Sequence, residues 1–68
     1  MKTTDPDVVK AYNVARDHLR AVGYAFLDYP LEVDPTQRYN IARAGEKDAL
    51  ALSESFAELA RLAERDEG

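Results

Sequence analysis

The sequence predicts an all-α protein: an antiparallel helical hairpin that pairs with a second copy into a four-helix bundle. Three observations predict it. An Asp-Pro step opens each of two apolar registers, at Asp5-Pro6 and again at Asp34-Pro35. Both registers advance in alternating steps of three and four residues, the period of a single helix face. And the second register carries more apolar surface than one neighbouring helix can cover, in a chain of 68 residues without a cysteine to staple it.

The first helix is read over about residues 6–22. Asp5 supplies a capping carboxylate, Pro6 occupies the first helical position where its missing N–H is no loss, and Asp7 lies at the positive end of the helix dipole. Val8, Tyr12, Ala15, Leu19 and Val22 form one stripe, widened by Ala11. Lys10, Arg16, Asp17 and Arg20 fall largely outside it. Gly23 reads as the residue just past the helix end, where a left-handed backbone costs glycine least. Phe26 nevertheless keeps the spacing from Val22, which would carry the helix one turn further.

The connector, residues 23–34, is unusually apolar. It holds Tyr24, Phe26, Leu27, Tyr29, Leu31 and Val33, and its last seven residues add Asp28, Glu32 and Asp34 without a base, a local charge of −3. Ala25, Leu27, Tyr29, Leu31 and Val33 alternate as in a strand, but Pro30 interrupts them and the chain offers no second strand. The three carboxylates lack the ligand spacing and turn glycine of a calcium loop. The sequence therefore divides the segment. Phe26, Leu27 and Leu31 are expected to fold inward over the open end of the hairpin. Tyr24, Asp28, Tyr29, Glu32 and Asp34 are expected to stay available as an aromatic and acidic patch for a basic protein surface.

The second helix is read over about residues 35–65. Gln37 stands three residues after Asp34, the spacing of a capping box. Ala42, Gly45, Ala49, Leu52, Phe56, Leu59 and Ala63 then hold a three-four alternation to the end. Gly45 is where the helix would bend or break, but the register passes through it without a slip, which favours one long helix. Leu50, Ala57, Ala60 and Leu62 flank the main stripe on both sides, more than a single partner helix needs. The surplus assigns Ala42, Gly45, Ala49, Leu52, Phe56 and Leu59 to a dimer interface.

Chemistry is sparse. His18, the single histidine, borders the first stripe, and Asp17 points about 100° away from it round the helix. Ser53 and Ser55 have no base at helical spacing to activate a hydroxyl. Glu54 and Glu58 lie one turn apart, a weak ligand pair without a histidine, so a solvated face is expected there. Arg43 with Glu46 and Glu58 with Arg61 are spaced for one-turn ion pairs. No phosphate-binding glycine loop occurs. Neither enzymatic activity nor a metal or other cofactor is expected.

The net charge is −4, from 13 acidic and 9 basic residues, which disfavours a nucleic-acid coat. One motif tests that conclusion. Gln37, Ile41 and Gly45 are spaced as in a helix-turn-helix, with glycine at the turn. But Ile41 stands where that motif wants alanine, and Glu46 where it wants an apolar residue. The would-be recognition helix "DALALSESF" has no side chain suited to reading base edges. With no apolar leader and no run of membrane-spanning length, the default compartment is the cytoplasm. The expected protein is one helical domain, 1–68, homodimeric and acidic, that binds another protein as an adaptor, accessory or inhibitor. A helix-turn-helix regulator of transcription is the alternative.

Overall fold

A computed structural model of the chain, which describes residues 4–67, is a two-helix hairpin. Helix α1 spans Pro6–Asp28, a 3₁₀ turn spans Tyr29–Leu31, and helix α2 spans Pro35–Glu67. No strand occurs among the described residues, so the alternation in the connector does not build one. The ends of the expected domain, residues 1–3 and 68, lie outside the described residues.

Helix α1 opens as its residues dictate. Asp5 is extended (φ −65°, ψ 116°) and its Oδ1 accepts the Asp7 N–H at 2.9 Å, while its carbonyl accepts the Val9 N–H at 3.0 Å. The far end corrects the expectation at Gly23. The helix continues through it to Asp28, and no glycine among the described residues has a positive φ. A glycine inside a helix costs only about 1 kcal/mol relative to alanine, too little to stop a helix whose next turns are sound. Pro30 stops it instead. Lacking an N–H, Pro30 cannot bond the carbonyl four residues back, so the last such bond is the Tyr29 N–H to the Ala25 carbonyl. The chain tightens into the 3₁₀ turn and leaves it at Glu32, which is extended (φ −85°, ψ 128°).

The connector proper is thus short, and it is ordered by its own acids. Glu32 Oε1 accepts the N–H groups of Val33 at 3.1 Å and Asp34 at 3.0 Å. The Glu32 carbonyl accepts Arg38 Nε at 2.6 Å. Asp34 then caps α2: its Oδ1 accepts the Thr36 N–H at 3.1 Å and its carbonyl the Arg38 N–H at 2.9 Å, but its own N–H is taken by Glu32 rather than by Gln37, so the capping box does not close.

Helix α2 runs unbroken through Gly45. Packing explains that glycine. A Cβ placed on Gly45 would lie 3.2 Å from the Cβ of Ala25, so the two backbones approach closely where α1 nears its end. At the opposite end of the hairpin, Arg65 bridges the elements, donating to Asp5 at 2.6 Å and to Asp7 at 3.1 Å. Midway, His18 Nδ1 sits 3.6 Å from Asp48 Oδ1.

What this hairpin encloses is very little. Ala15 and Leu62 are the buried residues among those described, while twelve large apolar side chains, from Tyr12 to Phe56, are exposed. The molecule measures 50 × 18 × 12 Å, with a radius of gyration of 15.3 Å. A compact chain of this length would have a radius near 11 Å.

Candidate functional site

The two grooves between the helices differ in character. One is lined by polar and charged groups, among them Lys10, His18, Glu54, Ser55, Glu58 and Arg61. Here the Ser55 hydroxyl donates to the Ala51 carbonyl at 3.0 Å, the ordinary use of a helical serine. Glu58 accepts from Arg61 Nε at 2.9 Å. That hydrogen bond, reinforced by the opposite charge, holds the Glu58 carboxyl below its ordinary value. The pairs Arg43–Glu46, at 2.7 Å, and Arg61–Glu58 form as their spacing predicts. No cluster of three or more His, Asp or Glu side chains among the described residues is gathered to hold a metal ion.

The other groove is apolar and runs along the hairpin. Near the connector it opens into a hollow of about 470 Å³ between Val22, Ala25, Phe26 and Tyr29 of the first arm and Ile41, Gly45 and Ala49 of the second. Toward the termini it narrows to about 110 Å³ between Tyr12, Leu19, Leu52, Phe56 and Leu59. The stripe Ala42, Gly45, Ala49, Leu52, Phe56 and Leu59 borders this groove from end to end. Its first half is small and its second half is large. Phe56 and Leu19 are both exposed within it.

The connector departs from expectation in three of its apolar residues. Phe26, Leu27 and Leu31 do not fold inward. They are 76%, 67% and 80% exposed. The extra turns of α1 carry Phe26 to the rim of the groove and Leu27 outward, and the 3₁₀ turn projects Leu31 from the tip. Tyr24 and Tyr29 are exposed, as expected. They do not share one face, however, because five residues of helix turn them roughly 140° apart. Tyr29 borders the apolar hollow, whereas Tyr24 lies on the side of α1 that carries Asp28, one turn on. Among the three acids, Glu32 and Asp34 already accept backbone N–H groups, which leaves Asp28 as the carboxylate without such a role.

The motif with Gln37, Ile41 and Gly45 needs a turn at Gly45, and α2 is helical there. Of Arg38, Arg43 and Lys47, the cations that would meet phosphates, the first two are held by the Glu32 carbonyl and by Tyr39 and Glu46. The bridges from Arg65 to Asp5 and Asp7, and the approach of His18 to Asp48, are not legible in the sequence. Each joins residues far apart in the chain, so helical spacing is blind to it.

Comparison with known proteins gives no match: no family model fits the chain, and no curated protein or solved structure is similar to it. No described helix is long and apolar enough to cross a membrane.

Proposed function

We propose that this protein is a small, non-enzymatic protein-binding module, an adaptor, accessory or inhibitor, that works as a homodimeric four-helix bundle. The observation that carries the reading is the mismatch between apolar surface and core. The hairpin exposes 5385 Å² of surface. A compact monomer of its 7.6 kDa would expose about 4,300 Å². The difference is roughly 1,100 Å² per chain, surplus surface of the order that each partner contributes to a stable dimer. Nearly all the apolar groove is used in such a pairing, and the tip is not. Tyr24, Leu27, Leu31 and Val33, with Asp28 beside them, project past the groove and remain for a larger partner with a basic, partly apolar surface.

The tip is tested by substitution. Tyr24→Ala with Leu31→Ala removes two exposed apolar side chains of the tip, a change expected to alter stability by no more than about 0.5 kcal/mol at each site. The double variant should keep its helical circular dichroism and melting temperature yet lose the protein that the native chain captures at low salt. Capture unchanged by the double variant would remove the tip from the binding surface.

A further inference from the structure

We infer that the second copy lies antiparallel on the apolar groove, tip against termini, with its two-fold axis crossing the helices at the level of Leu19 and Leu50. This inference rests on the homodimer reading and adds its geometry.

The stripe on α2 is symmetric in position and opposite in size. Ala42 and Leu59, Gly45 and Phe56, and Ala49 and Leu52 each lie equally far from the point between Leu50 and Ala51. That point lies half a residue from the middle of α2, Pro35–Glu67, at Ala51. An antiparallel pairing of α2 with its copy about this point sets every large residue opposite a small one. Phe56 of one chain then enters the hollow of about 470 Å³ beside Gly45 of the other. Nearly full overlap of the two helices follows.

Helix α1 repeats the symmetry independently. Tyr12 and Phe26 stand seven residues to either side of Leu19, and all three are exposed. The close contact of Gly45 with Ala25 fixes how the two arms are aligned. Stepping equally along both arms from that contact brings the centre of the α2 stripe level with Leu19. One axis therefore serves both helices: α1 packs on its copy through Leu19 on Leu19 and Tyr12 on Phe26, while α2 packs on its own copy.

The antiparallel dimer holds the two tips, each with Asp28, Glu32 and Asp34, at opposite ends, which makes the assembly bivalent, with one binding tip at each end.

The native chain has no cysteine, so Val33→Cys, at a site 83% exposed, gives one spin label per chain. Pulsed dipolar spectroscopy should report a label separation near the 50 Å length of the hairpin. A separation of about 10–20 Å, the width of adjacent helix layers, would overturn the antiparallel arrangement while leaving the dimer intact. Sedimentation of the same labelled sample as a monomer would instead overturn the dimer and, with it, this geometry.

Discussion

At the scale of single residues, the helix caps and local ion pairs were the most legible features. Asp5 and Asp34 cap where an acid precedes proline, because both the capping oxygen and the fixed backbone of proline act within a few residues. Ion pairs one turn apart were legible for the same reason. Glu58 shows what such a pair does. Its carboxyl is held below its ordinary value by the hydrogen bond from Arg61, so the folded chain takes up this proton later than the unfolded chain as pH falls. The contribution is complete above the unfolded carboxyl's value and is lost as pH falls through the lower, folded one. Both partners are exposed, so the effect is small. Melting followed through the acid limb should show a slightly shallower loss of stability for Glu58→Gln than for the native chain. Identical slopes would mean that the pair does not form in solution.

At the scale of elements, helix beginnings were readable and one helix end was not. Gly23 and Gly45 look alike in sequence, each a glycine in an apolar register, yet both prove helical for different reasons. Nothing stands within 4 Å of where a Gly23 Cβ would be, so that glycine has no packing role. Gly45 meets Ala25, and only the assembled hairpin reveals it. The contrast makes a prediction. Gly23→Ala should stabilise the protein by about 0.5–1 kcal/mol, the ordinary gain of alanine within a helix. Gly45→Ala should gain nothing or lose stability, because its methyl group pushes the arms apart. Urea denaturation of both variants checks this, and an equal gain for Gly45→Ala would show that the close approach is absent. The inward placement of Phe26, Leu27 and Leu31 failed at this scale too. The spacing of Phe26 from Val22 allows one further turn of helix, but α1 runs on to Asp28 and sets Leu27 and Leu31 outward.

At the scale of the whole molecule, the hairpin was legible because its two registers are long and separated by one short turn. The surplus apolar flank of α2 was legible in part: Leu50 is exposed, whereas Leu62, read as surplus, is the most buried residue described. The level at which the arms meet was not, and with it went the bridges of Arg65 and the approach of His18 to Asp48 across the hairpin. That alignment comes from backbone contact between helices, which periodicity along one helix does not encode. Laid out in space, the arms leave Ala15 and Leu62 as the buried residues described, and an isolated chain with so small a core is poorly stabilised. The central claim is therefore that the hairpin is half of a folded unit. Equilibrium sedimentation at micromolar concentration, with helicity recorded on the same samples, tests it most directly. The account predicts a species of twice the 7.6 kDa chain mass whose helicity falls as dilution separates the copies. A fully helical, cooperatively melting species of 7.6 kDa at every concentration would contradict it.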